Sequence, residues 1–297
     1  MLENNKTQLK PPKVMQTFVQ GFNLVAAHPY LMAFSLFLDF FFWFGPFYRI
    51  KNLLSPALDE MMATLSNSIT TSDVASLLKS TKETWELMLD NFNLLITLRT
   101  YPIGIPSLLA SKGYVANPLS SRAIFEVPSS SQAMLILLAC FLGGIFLTGL
   151  YYSLISDLVQ NNKIFGKDSR LFYRIGQTFL FFFLIILAAT LLTFPILCFL
   201  SSLTAFMPTA NTIPFLILGI VLLWIIMPFI FSAHGIFAKH INAFQSISLS
   251  TKFVRLSSPA TTLFLTIAIA LSYGLDLLWS TPSSASWLYA LGLIGHA

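Results

Sequence analysis

Apolar residues gather into five long runs between about Leu31 and Trp279, separated by polar and basic segments. Each run is long enough to cross a bilayer, which takes roughly 20 residues at 1.5 Å rise per residue. The pattern predicts an all-α membrane protein. Its architecture is a polytopic transmembrane helix bundle of five full spans plus a partial sixth, with interfacial amphipathic helices and a small exported helical cap.

The boundaries follow from where the pattern changes. Residues 1–29 form a polar N-terminus and an interfacial helix, in which Val14, Phe18, Phe22 and Val25 recur at helical spacing until His28-Pro29 breaks it. Span 1 covers 30–49 and is read as a retained signal-anchor, because no cleavage-site pattern follows an h-region. Residues 50–131 are stripe-like rather than continuously apolar, which predicts a helical insertion. Leu54, Leu58, Met61 and Leu65 mark one short helix. Val74, Leu78, Thr81, Trp85, Met88, Phe92 and Leu95, stepping by 4 and 3, mark a second. The rest of the insertion is rich in Pro, Gly and Ser and reads as irregular. Span 2 (132–157), a loop (158–174), span 3 (175–204), a short connection (205–213) and span 4 (214–233) follow. An interfacial segment (234–258), span 5 (259–280) and an outer stretch (281–297) complete the chain. The last apolar run, Ala285–His296, is too short to cross as a helix.

Composition sharpens this picture. Hydrophobic residues make up 56%, charged residues 10%, and mean hydropathy is +0.75. The net charge of +5 is concentrated: ten of the 17 Lys and Arg lie in segments 1–23, 158–174 and 234–258, against only two acids, Glu3 and Asp168. Basic residues beside spans set orientation and contact anionic headgroups, so the charge argues against nucleic-acid binding. With all three segments cytoplasmic, the spans alternate correctly and 50–131 lies outside. The location implied is the cell membrane, and the headgroup-contacting residues are Lys163, Lys167, Arg170, Arg174, Lys239, Lys252 and Arg255. Pro29 and Pro259 each close an amphipathic stretch and open a span, which fits either a duplicated unit or chance similarity between apolar segments.

Candidate chemistry is sparse. Asp39 lies mid-span, where a charge is costly and therefore a site by default. It reads either as a proton or cation relay, or as a carboxyl tying two helices together or meeting headgroups. In span 2, Cys140, Gly144 and Thr148 recur every fourth position beside Gly143 and Gly149, a packing face that lets a neighbour approach closely. Both cysteines, Cys140 and Cys198, fall in apolar runs and form no disulfide framework. His234 and His240, six apart, point about 120° from each other on a helix, the wrong spacing for a shared metal. No H-E-x-x-H, G-x-S-x-G or C-x-x-C occurs. Gly166-Lys167 lacks the rest of a phosphate loop, with Asn161 and Asp168 at the required positions. No catalytic residue, cofactor or metal site is expected.

The run from Gly149-Leu150-Tyr151-Tyr152 to Arg174, and the segment Ala243–Ser250 leading through Lys252 and Arg255 into span 5, carry a resemblance. Across roughly 134–280 the chain resembles the multi-pass membrane domain attached to some bacterial glycerophosphodiester phosphodiesterases, and related bacterial membrane proteins. The catalysis of that family resides in a soluble domain not found in these 297 residues, so no active-site residue carries over. The function expected is a non-catalytic membrane scaffold or accessory subunit, partnered by anionic lipid and by another membrane protein. The alternative is a transporter or channel using Asp39 and the proline-interrupted spans 3 and 4. An intramembrane lipid enzyme would need convergent titratable groups.

Overall fold

The computed structural model describes residues 14–67, 72–119, 122–160, 163–166, 170–206 and 212–297. Lys167, the polar stretch 1–13 and most of the connection 205–213 lie outside them. Ten α-helices occur among the described residues. In chain order they are α1 (Val14–Ala27), α2 (Met32–Phe44), α3 (Lys51–Asn67), α4 (Ser72–Asn91) and α5 (Ser130–Val159). Then come α6 (Leu171–Phe206), α7 (Thr212–Lys239), α8 (Ala243–Leu256), α9 (Ser258–Trp279) and α10 (Tyr289–His296). Two three-residue strands, β1 (Phe47–Arg49) and β2 (Ile124–Glu126), pair in parallel.

The fold is all-α. Among the described residues three helices are long and apolar enough to span a membrane: Ser130–Val159, Leu171–Ile196 and Thr261–Trp279. A fourth is counted if Val14–Ala27 and Pro29–Phe44, joined across His28, form one broken span. The fourth run of the sequence falls on α7, 28 residues long with Pro228 inside it.

The chain divides into two compact units: Met1–Leu31 with Tyr152–Tyr273, and Met32–Tyr151 with Gly274–Ala297. In the first, α8 lies along α7 through its small polar face. Ala243, Ser246, Ser250 and Val254 are buried. Ser246 Oγ donates to the Ser232 carbonyl and Ser250 Oγ to the Pro228 carbonyl. Gly235 makes this approach feasible, since a Cβ there would stand 2.1 Å from Ser246 Oγ. The outward face of α8 carries Phe244, Leu249, Phe253 and Leu256 beside exposed Lys252 and Arg255. Phe18 of α1 stacks on Phe264 of α9 at 5.2 Å, leaving Met15, Val19 and Phe22 exposed.

The second unit is built on one face of α2, where Ser35, Leu38, Asp39, Phe42 and Trp43 recur at helical spacing and are buried. Leu38, Phe42 and Trp43 share a core with Leu95, Ile105 and Leu108 of the insertion and with Tyr289 and Leu293 of α10. The last apolar run is therefore a short helix seated in this core. The insertion closes on itself where β1 meets β2, with Phe47 opposite Ile124 and Arg49 opposite Glu126. Arg49 pairs with both Glu126 and Asp90, and Lys51 also reaches Asp90 at 2.7 Å.

Helices α3 and α4 form a hairpin around Leu58, Met62 and Leu89, with Leu78 packed alongside. Trp85, Met88 and Phe92 of the expected seam are instead exposed, and the helix ends at Asn91, short of Leu95. A 4,3 repeat drifts about 20° per heptad on a straight helix. Without supercoiling, the buried line moves from Met88 to Leu89.

Candidate functional site

Asp39 is fully buried and both its oxygens are engaged. Ser107 Oγ donates to Oδ1 at 2.5 Å, Leu109 N to Oδ1 at 3.0 Å, and Leu108 N to Oδ2 at 3.1 Å. Ser107 Oγ in turn accepts from Ala110 N at 3.1 Å, so the 107–110 turn folds around one hydroxyl and one carboxyl. These donors come from a loop of the insertion rather than from a neighbouring helix. Four residues further along α2 the anchoring continues. Trp43 Nε1 donates to the Ser284 carbonyl at 3.0 Å, and Asn117 Nδ2 donates to the Trp43 carbonyl at 3.3 Å.

Titratable groups do converge in this unit. Lys112 Nζ donates to Tyr289 Oη at 3.2 Å, and Asp276 Oδ1 stands 2.9 Å from His296 Nδ1. Burial, reinforced by the charge of Asp39, pushes the Tyr289 phenol up to about 12, so it remains protonated at neutral pH. Burial draws Lys112 downward against the opposing pull of Asp276 and Asp39. The arrangement holds α10 in place. Among the described residues no group of three or more His, Cys, Asp or Glu could hold a metal ion.

The small residues of α5 face the insertion. Gly144 is buried, and a Cβ on it would fall 2.4 Å from the Leu98 carbonyl oxygen. Thr148 Oγ1 lies 2.9 Å from Thr100 Oγ1, and Gly143 has the Leu98 side chain at ordinary contact distance. Gly149 is buried and Cys140 half-buried. The close approach is therefore to a short 3-10 turn, Leu94–Leu98, within the same unit.

In the other unit the basic residues separate into two kinds. Lys163, Arg170, Lys239, Lys252 and Arg255 are exposed. Arg174, expected among headgroups, is instead fully buried and paired with fully buried Asp157 at 2.7 Å. A guanidinium at the first turn of α6 reaches inward because α5 ends with a carboxylate facing it, and pairing avoids the cost of a lone buried charge. Asp157 also accepts from Phe165 N at 3.0 Å, and Arg174 donates to the Ser153 carbonyl at 3.3 Å. His240 lies along the same guanidinium, each ring nitrogen 3.4 Å from an Arg174 nitrogen. Phe165, Arg170 and His240 are the non-glycine residues with positive φ among those described, at 50°, 48° and 52°. Two of the three touch this ion pair directly. Burial, with Arg174 and Arg170 beside it, holds His240 below its usual range, and Asp157 pulls the other way.

Sequence reasoning found Asp39 but not its partners, which lie about 70 positions away. The Asp157–Arg174 pair had a signal: Asp157 closes span 2 and Arg174 immediately precedes span 3, so the two flank the same polar loop. No family model, curated protein or solved structure matches this chain.

Proposed function

We propose that this chain is a non-catalytic, multi-pass membrane scaffold or accessory subunit. In this reading the insertion 50–131 is an exported cap, and the basic segments lie against anionic headgroups on the cytoplasmic side. The observation that carries it is the outward apolar face of the α3–α4 hairpin. Trp85 and Met88 are 45% and 55% exposed, although the hairpin stands outside the three span-length helices. An apolar patch on an otherwise polar hairpin marks a surface for a protein partner. The apolar and cationic outer side of α8 suits the headgroup boundary in the same way. Asp39 supports a structural role, since three of its roughly four acceptor sites are taken by the turn that begins at Ser107. The resemblance to a membrane domain whose catalysis lies elsewhere accords with this role.

The test is affinity purification in mild detergent, comparing wild type with Trp85→Glu/Met88→Glu. The side chains are exposed, so thermal stability should change by no more than about 0.5 kcal/mol per site. A stoichiometric protein partner recovered with wild type should be lost from the double variant. Equal recovery from both would refute the hairpin as the docking face.

A further inference from the structure

Helix α1 leaves an apolar stripe open beside the start of a span. Met15, Val19 and Phe22 step by 4 and 3 along it and are 73%, 50% and 62% exposed. Gln16, Gln20 and Asn23 repeat the same steps one residue later, so a polar stripe runs about 100° around the axis from the apolar one. No residue of the helix is charged, and none is buried.

The position of the stripe says what covers it. Phe18, on the inner edge of α1, stacks on Phe264 of α9. Phe264 is the fourth residue of the span-length stretch Thr261–Trp279, about 4.5 Å from where that stretch begins. Leu263, next in sequence, is 54% exposed, so this part of α9 has an open apolar side as well. α8 ends at Leu256 and α9 starts at Ser258, which brings the other amphipathic helix to the same end of α9. At 14 residues α1 is about 21 Å long, short of the roughly 30 Å hydrocarbon layer, and its side-chain amides would be costly there. A short amphipathic helix at the mouth of a span rests in the interfacial plane.

The two helices differ in what can hold them there. α8 turns Lys252 and Arg255 outward, whereas Lys13, the nearest cation in the sequence before α1, precedes the helix. α1 is left with apolar burial alone. Side chains such as Phe22 enter a bilayer surface through gaps between headgroups, which loosely packed lipids supply and tightly packed ones do not.

We propose that α1 lies in the boundary layer of the bilayer, with Met15, Val19 and Phe22 on its apolar side. Its hold there depends on how loosely the lipids are packed rather than on their charge. This deepens the scaffold reading, on whose membrane placement it rests, by naming the kind of bilayer the chain selects.

The test uses the full chain with Cys140→Ser and Cys198→Ser, reconstituted into vesicles. One preparation carries a nitrobenzoxadiazole dye at Phe22→Cys, and a second carries it at Leu256→Cys on α8. In dioleoylphosphatidylcholine the dye on α1 should emit as in an apolar layer. In palmitoyl-oleoyl-phosphatidylcholine and cholesterol in equal parts it should emit as in water. An equal part of dioleoylphosphatidylglycerol added to the first vesicles should leave the α1 signal unchanged, and Met15→Ser/Val19→Ser should move it toward the aqueous value. Equal emission in loose and tight vesicles would overturn the proposal, as would a response to acidic lipid in place of packing. Aqueous emission from α1 in every vesicle, with apolar emission from α8, would refute this proposal alone. Aqueous emission from both helices would refute the headgroup placement of the scaffold reading as well.

Discussion

His240 shows how a single residue couples backbone and charge. Its φ of 52° places the imidazole over the Arg174 guanidinium, where protonation would set two cations side by side. The charged groups that act on it are Arg174 and Arg170, which disfavour the proton, and Asp157, which favours it. The folded state therefore takes up this proton at lower pH than the unfolded chain, whose value is near 6.5. Its contribution to stability is complete above that pH and is lost as pH falls below it. Thermal unfolding in detergent between pH 8 and pH 5 should show a modest decline for wild type, trimmed by solvent screening of a ring that is only part-buried. His240→Asn, which tolerates the left-handed backbone, should flatten that decline; an unchanged slope would contradict the assignment. None of this was legible in the sequence, where His234 and His240 were weighed only as a metal pair. A stacking contact depends on how α7 hands over to α8, and periodicity does not report it.

Among the elements, helix faces were legible to different degrees. The α3–α4 hairpin follows from its apolar stripes, and α8 from its small polar residues opposite Phe244, Leu249 and Phe253. The seam through Trp85 and Met88 was misplaced because its drift depends on whether the pair supercoils. The β1–β2 ladder was invisible, since three-residue strands 77 positions apart carry no local pattern. α10 was recognised as too short to cross, but not as a core element. Its glycines, three apart, are the reason it can dock. A Cβ on Gly292 would fall 2.1 Å from the Trp279 carbonyl oxygen, and one on Gly295 2.6 Å from the Trp279 ring. Gly292→Ala should therefore cost about 1–3 kcal/mol through overpacking and release α10. Limited proteolysis in detergent should then cut within 280–297 faster than in wild type. Identical digestion patterns would mean that α10 is not seated as described.

At the scale of the whole chain, the apolar runs led directly to an all-α protein with span-length helices, because bilayer thickness sets their length. What they could not convey is the division into two units, or that the buried acid of α2 serves a turn near residue 108. Long-range partners of a polar residue leave no trace in hydropathy. The sidedness proposed for the chain rests on the distribution of Lys and Arg, and the roles proposed for the hairpin and the α8 face both inherit it. A cysteine placed at Trp85 and probed with a membrane-impermeant maleimide in intact cells tests that sidedness most directly. Labelling before lysis, at the level of a known exported control, is the result expected. Labelling that appears only after the membrane is broken would contradict the account.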